Sequence, residues 1–153
     1  MENTEIKRER AVLAGLSAAS MDESERSTEI SMEELAALVD TAGGDTVAII
    51  MQSRPTPDPR SFIGDGKVRE MKELIAMNDC DLAVFDNELT PSQMRVLSEE
   101  LGVKVLDRSG LILDIFAQRA KTREGKLQVE LAHVDSEIEK LVDSLTGANN
   151  VLL

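Results

Sequence analysis

The segment Thr46-Val-Ala-Ile-Ile-Met51 decides the fold class of this chain. It is rich in β-branched apolar residues. The turn-forming pair Gly43-Gly44 precedes it, and Arg54-Pro-Thr-Pro-Asp-Pro-Arg60 follows, where three prolines exclude a regular element. This pattern is typical of a strand that is buried on both faces of a sheet, as in parallel α/β proteins.

Three other short apolar segments predict further strands at 10–16, 82–85 and 103–106. Helical patterns separate the strands. The sequence therefore predicts an α/β fold with a small four-stranded parallel sheet flanked by helices, because alternating strands and helices join through right-handed crossovers.

Capping residues predict where these helices begin and end. Ser31 and Glu34 have the spacing of a capping box, and the polar residues 17–30 before them predict a mobile loop. A second helix is predicted after Lys67. The third is predicted to begin with Thr90 as N-cap and Pro91 in the first turn.

The residues after the predicted sheet have a different pattern. An apolar helix is predicted from Leu111, and a long C-terminal helix with a coiled-coil-like seam follows. Its seam positions are Leu127, Leu131, Val134, Ile138, Leu141 and Leu145. We therefore expect an α/β domain at 1–110 and a helical extension at 111–153. Because one amphipathic helix cannot bury its apolar stripe alone, the seam predicts a homodimer, with packing back onto the α/β domain as the alternative.

Composition limits the classes of partner. The net charge of −12 repels phosphate backbones, so any contact with RNA must use a local basic patch. Cys80 is the single cysteine, which permits no internal disulfide. We expect a cytoplasmic protein without membrane contact, since no apolar stretch approaches the length of a membrane span.

The segment Phe62-Ile-Gly-Asp-Gly-Lys67 precedes a predicted helix, and helix N-termini attract phosphate. Gly64, Gly66 and Lys67 are therefore candidate phosphate contacts. The segment is not a P-loop, because the upstream glycine is missing and Val68 replaces the required Ser or Thr. A helix cap with glycine for backbone freedom is the favoured alternative.

No pattern predicts catalysis, a metal or a cofactor. Asp86-Asn-Glu88 follows a predicted strand, but no histidine accompanies its carboxylates, so an exposed capping loop is the favoured interpretation. His133 is the single histidine and has no clustered cysteine, which makes a metal site improbable.

A basic segment interrupts the acidic sequence within two helical turns. Its residues are Arg119, Lys121, Arg123 and Lys126. Such a patch can bind RNA phosphates, and a solvated helix face with ion pairs to nearby glutamates is an equal alternative.

Three segments closely resemble the N-terminal region of HflX-type GTPases: SFIGDGKVREM (61–71), LAVFDNELTPSQMRVLSEELGVKVLDRSGLILDIFAQRA (82–120) and KTREGKLQVELA (121–132). The resemblance implies a parallel α/β subdomain, then a helical subdomain, then a GTPase domain. It also implies binding to the large ribosomal subunit, with the helical subdomain approaching ribosomal RNA. The basic segment lies where that contact would occur.

The sequence departs from the family pattern after Ala132, and it contains no Walker A motif, so we do not expect GTP hydrolysis. We expect an HflX-like N-terminal binding module associated with the large ribosomal subunit. One alternative is a homodimeric interaction module that regulates a full-length relative. Another is a nucleotide-binding domain that uses the 62–67 loop.

Overall fold

The computed structural model describes residues 8–123 and Leu141, with only the backbone of 121–123. The strands are β1 (Glu9–Ala18), β2 (Gly44–Arg54), β3 (Leu82–Phe85) and β4 (Lys104–Asp107). The helices are α1 (Glu29–Thr41), α2 (Asp65–Asn78), α3 (Pro91–Leu101) and α4 (Arg108–Arg123), and a short 3-10 turn spans Glu23–Glu25.

All strand pairs are parallel, and the strand order is β2-β1-β3-β4. The predicted α/β class with a four-stranded parallel sheet flanked by helices is confirmed. Within the described residues, no helix is long and apolar enough to cross a membrane. The internal contacts divide the chain into two units, residues 1–111 and 112–153, so α4 begins in the first and continues in the second.

β1 is the central strand, and it is buried on both faces from Ala11 to Leu16. Its even-numbered residues from Val12 to Ala18 belong to the core cluster that also contains residues of α2 and α3. Helix α1 packs against β1 and β2. Small residues at positions 11, 14 and 15 of β1 allow helices to approach the strand from both sides.

β2 is an edge strand, so the prediction that 46–51 is buried on both faces was wrong. Ile49 is 49% exposed and Met51 is 37% exposed. The central position belongs to the less hydrophobic segment 10–16, because its small residues fit between two helix layers. The register shifts by one residue at Val47, which forms a β-bulge beside Ala11 and Val12.

Helix α1 begins earlier than predicted, with Thr28 as its N-cap and Ser31 as the third helical residue. The Thr28 side chain accepts from the Ser31 N–H, and the Ser31 hydroxyl accepts from the Thr28 N–H. This capping box replaces the predicted pair Ser31 and Glu34. The predicted mobile loop 17–30 is therefore shorter, and its Ser27 is buried.

Helix α3 begins as predicted, with Thr90 as N-cap, Pro91 in the first turn and Gln93 completing the capping box. It ends at Gly102, whose φ of 72° is left-handed. The predicted seam and the dimer that depends on it lie outside the described residues except for Leu141, as does His133. They stay predictions.

At Gly15 the strand β1 packs tightly against Met32 of α1 and against Ser27, which lies just before α1. A Cβ atom at this position would lie 2.6 Å from both Met32 Sδ and Ser27 Oγ. We predict that Gly15→Ala lowers the free energy of unfolding by about 1–3 kcal/mol, because the added methyl overpacks a buried contact.

The matched control is Gly66→Ala on α2, where a Cβ atom meets nothing within 4 Å. It should stabilise by a few tenths to about 1 kcal/mol, since alanine favours helix. Urea unfolding of both variants measures this. Equal effects of the two substitutions would contradict the packing of α1 on β1.

Candidate functional site

The carboxyl edge of the sheet is held together by the side chain of Asn87. Its Oδ1 accepts from the Leu16 N–H at 2.9 Å, and its Nδ2 donates to the Leu16 carbonyl at 3.0 Å. β1 pairs with β3 only as far as Ala14 and Phe85. The buried Asn87 amide therefore continues the backbone ladder where the two strands diverge.

Asp86 connects the β3 end to α1 and to the preceding loop. Its Oδ2 accepts from the hydroxyls of Ser27 at 2.8 Å and Ser31 at 2.7 Å. The side chain of Asp86 is 5% exposed. Its charge is thus compensated by hydrogen bonds and by one cation, which is the condition for burying a carboxylate.

That cation is Arg108, the first residue of α4. Its Nε donates to Asp86 Oδ1 at 3.0 Å, and its Nη2 donates to the same oxygen and to the Ser31 carbonyl. Asp107, the residue before it, accepts from the Gly110 N–H and from the Leu89 N–H. The start of α4 is therefore fixed to the loop that follows β3 and to α1.

A cavity of about 510 Å³ opens at this edge. It is lined by Met21, Ser24, Glu25, Arg26, Ser31, Glu34, Asp86, Asn87, Glu88 and Arg108. Parallel sheets bind ligands at such a point, where the chain turns from β2 on one side of β1 to β3 on the other. Within residues 8–123, no group of His, Cys, Asp or Glu side chains could hold a metal.

The prediction that Asp86-Asn-Glu88 forms an exposed capping loop was wrong for its first two residues. Asp86 and Asn87 are the centre of the polar network, and only Glu88 is exposed. Their partners, Leu16, Ser27 and Arg108, are distant in sequence, so local patterns could not identify them. The sequence signal for Asp86 and Asn87 was their position directly after a predicted strand.

The loop before α2 is held by Asp58. Its Oδ1 accepts from the N–H groups of Arg60 at 2.8 Å and Ser61 at 3.1 Å. This loop holds Phe62 at a left-handed φ of 68°, which is unusual for a bulky side chain. The Phe62 ring is buried edge-on against Phe85, with ring centroids 6.5 Å apart.

The three candidate phosphate contacts lie at the start of α2. Gly64 is the N-cap, and its N–H donates to Gln52 Oε1 at 3.1 Å. A Cβ atom at Gly64 would lie 2.5 Å from an Arg54 guanidinium nitrogen, so a larger residue would require the Arg54 side chain to move. Gly66 is exposed, and the Lys67 ammonium pairs with Glu70 at 3.1 Å. Phosphate binding here stays a prediction.

The candidate RNA contacts begin on α4. Arg119 is exposed, and its guanidinium carbon lies 6.0 Å from the centroid of the Phe116 ring. Because α4 extends to Arg123, positions 119 and 123 lie on one side of the helix, and position 121 lies on a different side. Lys126 is outside the described residues. Position 121 therefore lies at a different angle around α4 from positions 119 and 123.

Asn87→Asp tests the continuation of the ladder. The substitution removes the two N–H donors to Leu16 and Glu25 and leaves a carboxylate in a buried position. We predict a loss of about 2–4 kcal/mol in the free energy of unfolding. The neighbouring exposed variant Glu88→Gln should change it by less than about 0.5 kcal/mol. A Tm for Asn87→Asp equal to the wild-type value would disprove the role of Asn87.

The stability contributed by Asp58 should depend on pH. Hydrogen bonds from the backbone of Ser61 and Arg60 hold the pKa of Asp58 below its ordinary value. The charged form therefore stabilises the fold above the unfolded-state pKa of about 3.9, and this stability is lost as the pH falls through the lower folded-state pKa.

We predict that Asp58→Asn lowers the Tm at pH 7 and that its difference from wild type shrinks below about pH 4. Thermal unfolding from pH 2.5 to 7 measures the difference. Asp22→Asn is the control, because the Asp22 side chain forms no capping hydrogen bond. A difference for Asp58→Asn that is constant over this pH range would contradict the assignment.

Comparison with known proteins identifies the family. A family model described as GTP-binding GTPase N-terminal matches residues 29–117. GTPase HflX of Alkalihalophilus pseudofirmus is 48% identical over 119 residues, which are 78% of this chain and 27% of that protein. GTPase HflX of Escherichia coli is 44% identical over 115 residues, which are 75% of this chain and 27% of that protein.

A third relative, GTPase HflX of Caldanaerobacter subterraneus, is 38% identical over 142 residues and 93% of this chain. The chain spans about a quarter to a third of the length of these curated relatives, 27% to 32%.

Solved structures share the fold. A GTP-binding protein from the archaeon Sulfolobus solfataricus in complex with GDP has a TM-score of 0.53 at 21% identity, over 91% of this chain and 45% of that chain. A complex of SsGBP and GDP has a TM-score of 0.55 at 21% identity, over 91% of this chain and 44% of that chain. Because the family model covers more than half of the sequence, this chain belongs to the GTP-binding GTPase N-terminal family, as the N-terminal domain of an HflX-type protein.

Proposed function

We propose that this chain is a ribosome-associated binding module that contacts RNA of the large ribosomal subunit through basic positions of α4. The observation that supports it best is the family match over residues 29–117, which includes the first ten residues of α4. The proposal takes the ribosomal partner from the resemblance to HflX-type proteins, and it places the protein in the cytoplasm.

Charge supports α4 as the contact. The net charge of the chain is −12, and α1 contains Glu29, Glu33, Glu34 and Asp40 with no Lys or Arg. Such surfaces repel phosphates, so a contact with RNA needs a separate basic surface. Positions 119 and 123 provide one on a single side of α4. Lys121 and Lys126 remain candidate contacts of the same segment.

The GTPase activity named for the relatives is not assigned to these 153 residues. Gly-Lys occurs at 66–67 and at 125–126, where Val68 and Leu127 follow. Neither residue offers the hydroxyl that a P-loop uses to hold Mg²⁺. We therefore propose a binding role without GTP hydrolysis by this chain.

Co-sedimentation with purified large ribosomal subunits tests the proposal. We predict that the wild-type chain sediments with the subunit at low salt and is released as salt rises. Arg119→Glu combined with Arg123→Glu should weaken binding about a hundredfold and reduce the salt slope by about 1.5, if each arginine contacts one phosphate.

The matched control combines Arg69→Glu with Arg95→Glu, which changes the net charge equally at exposed positions of α2 and α3. It should bind nearly as well as wild type. Absence of wild-type binding at low salt would refute the ribosomal partner. Equal losses in both double variants would refute the site on α4.

A further inference from the structure

The outer edge of β2 is open along the described part of the chain. β2 is the terminal strand of the sheet and spans Gly44–Arg54, whereas the other edge strand, β4, has four residues beginning with Lys104. Proteins usually protect edge strands by making them short or by placing charges on them. Residues 48–53 of β2 include no charged side chain.

Two apolar side chains of this edge face the α1 side of the sheet. Ile49 pairs in register with Leu13, and Met51 pairs with Gly15, whose missing Cβ faces Met32 of α1. They are 49% and 37% exposed. The bulge at Val47 ends before Ala48, so the register from Ala48 to Arg54 is regular. This stretch is therefore suited to pairing with another strand.

The surface beside this edge is acidic. Helix α1 packs against β2 and contains four carboxylates without a basic residue. Of these carboxylates, Asp40 accepts from Arg8, which also pairs with Asp45 of β2. Glu29 and Glu33 are exposed. A strand bound at this edge would contact Ile49 and Met51, and it would lie beside the carboxylates of α1.

We propose that the edge of β2 binds an extended basic segment of a partner protein, which adds a fifth strand beside Ala48–Ser53. Main-chain hydrogen bonds to β2 supply affinity. Because alternate residues of a strand point to opposite faces, apolar residues of the segment lie beside Ala48 and Ile50, and the aliphatic stems of its basic residues cover Ile49 and Met51 on the α1 side. Lysines or arginines of the segment face the carboxylates of α1. A second copy of this chain is a poorer occupant, because it would bring an equal charge of −12 to the interface.

The proposal uses residues of β2 and α1 and none of the basic positions of α4, so it does not depend on RNA binding. The probe is the heptapeptide Lys-Val-Lys-Val-Lys-Val-Lys with blocked ends, titrated into the full chain by calorimetry. Its control is Lys-Val-Lys-Pro-Lys-Val-Lys, which has the same charge and nearly the same size but cannot complete a strand, because proline lacks the backbone N–H. We expect the first peptide to bind and to slow amide exchange in β2.

Ile49→Lys should weaken binding of the first peptide about tenfold, because it places like charge opposite the lysines, and Met51→Lys should act in the same direction. Met77→Lys is the matched control, since Met77 is a 78% exposed side chain on α2. Equal binding of both peptides would overturn the proposal in favour of simple charge attraction. No binding of the first peptide, or a wild-type dimer that Ile49→Lys abolishes, would also overturn it.

Discussion

The pairing of the Asn87 side chain with both backbone groups of Leu16 is the constraint on which the carboxyl edge of this domain depends. β1 and β3 diverge at this edge, which leaves backbone groups of β1 without a strand partner on the β3 side. Asn87 satisfies them from inside the core, where an unsatisfied group would be costly. The adjacent Asp86 then binds Ser27, Ser31 and Arg108, so one dipeptide joins β1, α1 and the first residue of α4.

Much of the fold could be predicted from local sequence because its determinants are local. The strand at 82–85 and the α3 capping box have short, unambiguous patterns, and the structure has both as predicted. The order of strands could not be predicted in this way. The more hydrophobic segment, 46–51, was expected to be fully buried, yet the sheet centre is β1. The small residues of β1 decide how closely the helices pack on the sheet. The hydrophobicity of a segment does not predict this packing.

The candidate site was less predictable because its interactions join distant residues. Asn87 and Leu16 are 71 residues apart, and Arg108 and Asp86 are 22 apart. Local sequence shows the polar residues but not their partners, so burial of Asp86 and Asn87 was missed. In contrast, the basic segment was evident from composition, and the structure adds that positions 119 and 123 share a side of α4 while 121 does not.

Native-state amide hydrogen exchange tests the central role of this edge most directly. The Leu16 and Leu89 amides donate to the side chains of Asn87 and Asp107, and neither bond belongs to a strand ladder. If the network holds the edge, both amides should exchange as slowly as that of Val12 in the middle of β1, through global unfolding only. Exchange at the rate of exposed loop amides such as that of Ser24 would show that the network opens locally, which would contradict the account.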